Sequence, residues 1–139
     1  MTSSFNLIDQ AWIPCVTVDG IFVEVGLRDL LFDAHHLRAI CCETPIMIAS
    51  VMPVALALLH RVFGPASTKA WKALWQEGAF PREPLDAYFT EWYDRFDLFH
   101  PERPFYQARD ERVQPKSVIH LIHSIGNTGT LFTHANDRH

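Results

Sequence analysis

Strong charge of either sign is missing from this 139-residue sequence: charged residues make up 20%, and the formal net charge is −4. An autonomous nucleic-acid-binding domain shows a basic excess, so the chain as a whole does not belong to that class. The average still leaves room for one local contact loop. Cysteine is scarce, with only Cys15, Cys41 and Cys42, and no C-x-x-C pair occurs. An odd count without a secretory signal fits a reducing compartment and excludes a disulfide framework. The opening Met1-Thr2-Ser3-Ser4-Phe5 has no basic region followed by an apolar stretch, so a cytoplasmic location is expected. The longest apolar run, Pro45 to Leu59, is shorter than the ~18–20 residues that span a bilayer, and no membrane partner is expected.

What is present is a core. Hydrophobic residues make up 48% of the chain and aromatics 12%, enough for one folded domain with a large apolar interior or interface. The beginning reads as β structure. Trp12 to Val18 and Ile21 to Val25 flank Asp19-Gly20, whose central residues tolerate positive φ, so a two-residue hairpin is expected. Pro14 lacks a donor and suits an edge or a strand start. Leu27, Leu30 and Leu31 have helical spacing, whereas Leu37-Arg38-Ala39-Ile40 fits a strand or an extended link.

Thr44-Pro45 opens the clearest helix, with threonine as cap and proline at the first helical position. It should run to about Phe63, stop at Gly64-Pro65, and kink at Pro53. Being apolar nearly all round, it should lie at the centre of the fold. Ser67 to Gln76 gives a second helix capped by Ser67. Leu85 to Phe96 gives a third, with Tyr88, Phe89, Trp92, Tyr93 and Phe96 forming a face that should pack in the core. Pro101 and Pro104 make the next stretch irregular. A short helix over Lys116 to His123 is broken at Gly126-Asn127-Thr128-Gly129. The fold class is α+β: a small N-terminal β-hairpin sheet packed on a mainly helical core.

No constellation carries catalysis. Eight histidines are present, including His35-His36 and His120 with His123, but neither H-E-x-x-H nor any set of three or four convergent ligands is spaced for a metal. Cys41-Cys42 is poor geometry for one ion, and a free cysteine usually acts as a small buried hydrophobe. Gly126-Asn127-Thr128-Gly129 lacks the lysine and preceding strand of a phosphate loop. The scattered carboxylates, such as Glu91, Asp94, Asp97, Glu102, Asp110 and Glu111, read as helix-surface charge. Neither cofactor nor enzyme activity is expected. Two readings stay open on the residues alone: a histidine-rich metal-binding domain or small metal enzyme, and a structural or oligomerisation domain.

Several segments together resemble one family. Asn6-Leu7-Ile8-Asp9-Gln10-Ala11-Trp12-Ile13-Pro14 resembles the opening of the large subunit of the type I-E CRISPR Cascade, the CasA family, with Cys15 where that pattern has valine. Leu27-Arg28-Asp29-Leu30 is similar to a short helix that follows, and Pro45 to Phe63 to the family's first core helix. Tyr93 to Gln107, with Arg95-Phe96 and Pro104-Phe105-Tyr106-Gln107, resembles a further family segment. Gly126 to Thr133 resembles the stretch entering the first loop near DNA and RNA. The matches occur in order and cover nearly the whole chain.

The resemblance implies that residues 1–139 are the N-terminal portion of a longer N-terminal domain, which a four-helix bundle follows. It implies a subunit that supports recognition of the protospacer-adjacent motif, binds target duplex DNA and recruits a helicase–nuclease. The implied partners are the other Cascade subunits, guide RNA, target DNA and that nuclease. Asn127, Gly129, Phe132, Thr133 and His134 fall on the nucleic-acid-proximal loop. Phe132 suits stacking or wedging, while Thr133 and His134 depart from the family pattern. The family's motif-reading elements lie further along its chains. An apolar surface left open on this portion would favour self-association.

Overall fold

The computed structural model describes residues 4–108, 110–112 and 114. The chain divides into two units, residues 1–108 and 109–139. In the second unit the described residues show Arg112 donating to both carboxylate oxygens of Asp110, at 2.9 and 2.7 Å. The expected helix over Lys116 to His123 and the Gly126–Gly129 break lie outside the described residues.

In the first unit, β1 (Ile13–Thr17), β2 (Phe22–Val25) and β3 (Leu37–Ile40) form an antiparallel sheet in the order β2-β1-β3. Alternation sends Ile13 and Cys15 into the core, while Pro14 and Val16 are half-buried. The ambiguous Leu37–Ile40 segment is thus a strand, and it makes β1 central. Pro14 therefore lies in the central strand rather than an edge one, but at the strand's start, the other position that its missing donor suits. Its position is tolerated because the pairing with β3 begins at Cys15 opposite Ile40. Beyond that point only the Pro14 carbonyl is used, accepting from the Cys41 amide at 2.8 Å.

The hairpin turn also differs from expectation. The Gly20 amide donates to the Thr17 carbonyl and the Thr17 amide to the Ile21 carbonyl, which leaves three residues in the connection rather than two. Only Gly20 has positive φ, +82°, as in a type I turn closed by a left-handed glycine. The Thr17 hydroxyl accepts from the Ile21 amide, a local bond that favours the longer form.

Among the described residues four helices follow the expected order. Helix α1 (Leu27–Phe32) buries Leu27, Leu30 and Leu31. Helix α2 (Pro45–Val62) starts as its sequence dictates: the Thr44 hydroxyl accepts from the Met47 amide, and Pro45 occupies the first turn. It runs through Pro53 as one helix and ends before Gly64, whose φ is +42°. Helix α3 (Thr68–Gln76) is capped by the Ser67 hydroxyl on the Ala70 amide at 3.2 Å. Helix α4 spans Arg82–Glu91, three residues earlier at its start than expected. Pro84 permits this because first-turn amides have no intrahelical acceptor to lose. The helix then tightens into a 3-10 turn, Tyr93–Phe96, instead of continuing.

Helix α2 is not central. It buries only Val51, Ala55 and Leu58, along one face, against a core of Leu7, Ile8, Ile13, Leu27, Leu85 and Phe89. Ile46 and Met52 are 56% and 41% exposed, and Leu56 is 48% exposed. Uniform apolarity was a sound reason to expect contact on every side, but residues 4–108 supply a partner for one side only. It is also the one helix, among the described residues, long and apolar enough to cross a membrane, by length and composition alone.

Candidate interaction surface

The opening segment is the structural hub. Asn6 is buried, and its side chain works at both ends. Its Oδ1 accepts from the Ile8 amide at 3.0 Å, and its Nδ2 donates to the Tyr93 carbonyl at 2.9 Å. The second bond meets the chain where α4 gives way to the 3-10 turn. The Leu7 and Ile8 carbonyls accept from the Leu27 and Arg28 amides at the start of α1, both at 3.0 Å. These bonds cap α1, whose preceding Gly26 offers no side chain to do so. They also require backbone to meet backbone: a Cβ on Gly26 would lie 2.3 Å from the Ile8 carbonyl oxygen. The Trp12 indole closes the loop by donating to the Leu7 carbonyl at 2.9 Å.

Arg28 joins this loop to two helices. It donates to Asp9 at 2.8 Å and pairs with Asp86 of α4. Its guanidinium lies 5.4 Å from the Phe89 ring centre and 5.9 Å from that of Phe32. Arg61 of α2 sits in the same way over Tyr88 and Trp92, at 5.5 and 5.1 Å. Both cations are thus spent on holding aromatic faces together. Phe89 and Phe96 are buried as expected, while Tyr93 stays 39% exposed.

Residues 96–107 form the second half of the hub. The Leu7 amide donates to the Phe96 carbonyl and the Leu98 amide to the Phe5 carbonyl, so the opening segment pairs antiparallel with this stretch around Asn6 and Asp97. The Asp97 carboxylate gathers three donors: the Ser4 hydroxyl at 2.7 Å and the amides of Phe5 and Phe99 at 3.0 and 2.9 Å. The Phe99 amide, then the Ser4 hydroxyl and the Phe5 amide, hold this carboxyl below the usual carboxylate range. Phe105 stacks on Phe96 with ring centres 5.3 Å apart. Gln107 donates from Nε2 to the Leu98 carbonyl at 3.0 Å. Between them Tyr106 takes a φ of +58° and is 92% exposed.

Two apolar grooves flank α2. One, of about 820 Å³, is lined by Trp12, Val51, Val54, Leu58, Phe105 and Tyr106 among others. The other, about 600 Å³, separates Leu56 and Leu59 from Trp71 and Leu74 of α3. Helix α3 buries none of its residues, and Trp71 and Trp75 are 50% and 75% exposed. These exposed tryptophans were not singled out in the sequence; their i, i+4 spacing beside Leu74 was the available signal.

Asn127, Gly129, Phe132, Thr133 and His134 all lie outside the described residues, as do His120 and His123. Among the described residues no three His, Cys, Asp or Glu side chains gather as metal ligands. Cys15 is buried, and burial, with Cys41 and Cys42 nearby, pushes its thiol pKa up to about 11. Cys42 is half-buried and Cys41 is exposed, which departs from the buried role expected of free cysteine.

An α+β module whose two signature segments interlock, and whose helices α2 and α3 leave apolar faces open, is the class this geometry defines. The family model for CRISPR-associated protein Cse1 matches residues 6–139, and the chain belongs to that family. It is 39% identical over 137 residues to the CRISPR-associated protein CasA/Cse1 of Thermus thermophilus, covering 96% of this chain and 27% of that protein. The chain thus spans about a quarter of the length of the relative it matches. Among solved structures, Cse1 from Acidimicrobium ferrooxidans is similar with a TM-score of 0.74 and 34% identity, covering 76% of this chain and 21% of that one. Thermus thermophilus CasA gives 0.70 and 40%, covering 74% and 22%. A chain of a CRISPR RNA-guided surveillance complex gives 0.68 and 28%, covering 75% and 23%.

Proposed function

We propose that this chain is the N-terminal part of the large subunit of a type I-E RNA-guided surveillance complex. In that role it supports recognition of the protospacer-adjacent motif, target-duplex binding and recruitment of the helicase–nuclease. The observation that carries the reading is the continuous family match across residues 6–139. The likeness to a chain of an RNA-guided surveillance complex supports it. The part is non-catalytic and needs no cofactor, since cleavage belongs to the recruited nuclease. Its place is a cytoplasmic assembly of protein, guide RNA and target DNA, where the open faces of α2 and α3 meet protein rather than lipid.

Within this reading Asn127, Gly129, Phe132, Thr133 and His134 form the nucleic-acid-proximal loop, with glycine allowing close backbone approach and Phe132 stacking or wedging. The test is reconstitution. A complex lacking its large subunit receives a family-length chain carrying this sequence, either unchanged or with Phe132→Ala, and target-duplex affinity is measured at fixed salt. The unchanged chain restores binding, and Phe132→Ala weakens it by roughly tenfold, the scale of one lost aromatic–base stack. Failure of the unchanged chain to restore binding removes the reading.

A further inference from the structure

We infer that the groove beside α2, walled by Trp12, Phe105 and Tyr106, docks an amphipathic helix of another subunit that places one carboxylate at Arg61; the inference rests on the assembly role proposed above. Along α2 the groove passes Ser50, Pro53, Ala57 and Arg61, positions three or four residues apart that form one stripe of the helix. At 1.5 Å per residue the stripe is about 16 Å long, room for about three turns of a partner helix. Ala57 is exposed and small, which lets a second helix approach closely. The walls are side chains rather than a strand edge, so they offer no ladder of backbone bonds. A helix brings its own backbone bonds satisfied and fits such a groove by its apolar face.

Two residues of the groove point to this occupant. The Gln107 amide donates to the Pro104 carbonyl at 3.2 Å and closes a four-residue turn. Tyr106 stands third in that turn with a φ of +58°, a position that favours glycine. Its side chain is 92% exposed, so it adds strain to the turn and little to the core. Strain of this kind gathers at binding sites, and an aromatic on a fixed turn is the type of side chain that anchors protein interfaces. Arg61 supplies the charge. Its guanidinium is held 5.5 and 5.1 Å from the ring centres of Tyr88 and Trp92, and among the described residues it has no carboxylate partner. A carboxylate arriving there meets a fork of donors that is already ordered. One cation in an apolar groove fits one acidic side chain, whereas a nucleic-acid strand would call for a row of cations.

The experiment uses the family-length chain. It reads the affinity of that chain for the remaining subunits loaded with guide RNA, without target DNA, and the melting temperature of the free chain. Tyr106→Asn removes the aromatic ring and relieves the turn, because asparagine tolerates positive φ. The free chain should keep or gain melting temperature, while assembly weakens by about tenfold, the scale of one interface anchor. Arg61→Gln should weaken assembly by about fivefold and flatten its salt dependence, since the lost pair is ionic. Assembly at the unchanged chain's affinity by both variants overturns the inference. So does a melting temperature lowered in both variants, which means that the chain's own residues fill the groove. A loss that shows only once target duplex is added overturns it as well, because nucleic acid is then the occupant. If the unchanged chain does not join the complex, the assembly role itself fails and the inference falls with it; if it joins and the variants join equally well, only the inference fails.

Discussion

Gly26 and Asp97 show how single residues hold distant segments together. Gly26 stands where the first amides of α1 reach the Leu7 and Ile8 carbonyls, and a methyl group there meets the Ile8 carbonyl oxygen at 2.3 Å. Gly26→Ala should therefore destabilise the fold by about 2–3 kcal/mol, the scale of overpacking against unyielding backbone; the denaturant midpoint measures it. Asp97 supplies a pH dependence. Its carboxyl titrates below the range of an unfolded aspartate, so its contribution is present above about pH 4 and is lost as pH falls through the lowered folded value. Asp97→Asn should flatten the acid limb of a stability-against-pH curve, and Asp97→Ala should lower stability near neutrality by about 1–2 kcal/mol. Neither role was visible in the sequence. Asp97 read as one scattered carboxylate, because two of its three donors, Ser4 and Phe5, come from the far end of the unit. Gly26 stood out only as the residue before a helix.

At the scale of the element, local chemistry was legible and tertiary context was not. Thr44-Pro45, Ser67 and Gly64 mark helix ends through caps and breakers that act within a few residues, and α2 and α3 begin where they dictate. The end of α4 was misjudged because its aromatic periodicity continues past Glu91, whereas the backbone turns to present the Tyr93 carbonyl to Asn6. Pro14 suited an edge or a strand start, and only the strand start holds, because nothing near it announces β3 as a second neighbour of β1. Helix α2 carries the sharpest element-scale test. Leu58 is 4% exposed and Leu56 is 48% exposed on the same helix. Leu58→Ala should lose about 2–4 kcal/mol, while Leu56→Ala should change stability by less than about 0.5 kcal/mol. Equal losses at both positions in thermal melts would mean that α2 is covered on both sides.

For the whole molecule, the open faces matter more than the core. Ile46, Met47, Met52 and Leu56 on α2, with Trp71 and Trp75 on α3, are all at least 36% exposed, and patches of this kind mark interaction sites. The 139-residue chain by itself should therefore self-associate as its concentration rises. Met52→Lys combined with Leu56→Glu should shift light scattering toward the monomer while leaving the melting temperature nearly unchanged. A monodisperse wild-type chain at high concentration would count against this. The family was readable because its two signature segments, Asn6 to Pro14 and Tyr93 to Gln107, are the ones the fold presses together. The candidate loop was placed by resemblance alone, and its residues lie outside those the structure describes.

The three thiols sort themselves by accessibility. Cys15, buried between the sheet and the helices with a raised pKa, is shut off from solvent, Cys42 is half-covered, and Cys41 stands open beside the end of β3. A maleimide dye supplied at one equivalent should therefore attach first to Cys41. That gives the molecule a built-in attachment point for a fluorophore, at a place where distances to a labelled guide or target could be followed without engineering a new cysteine.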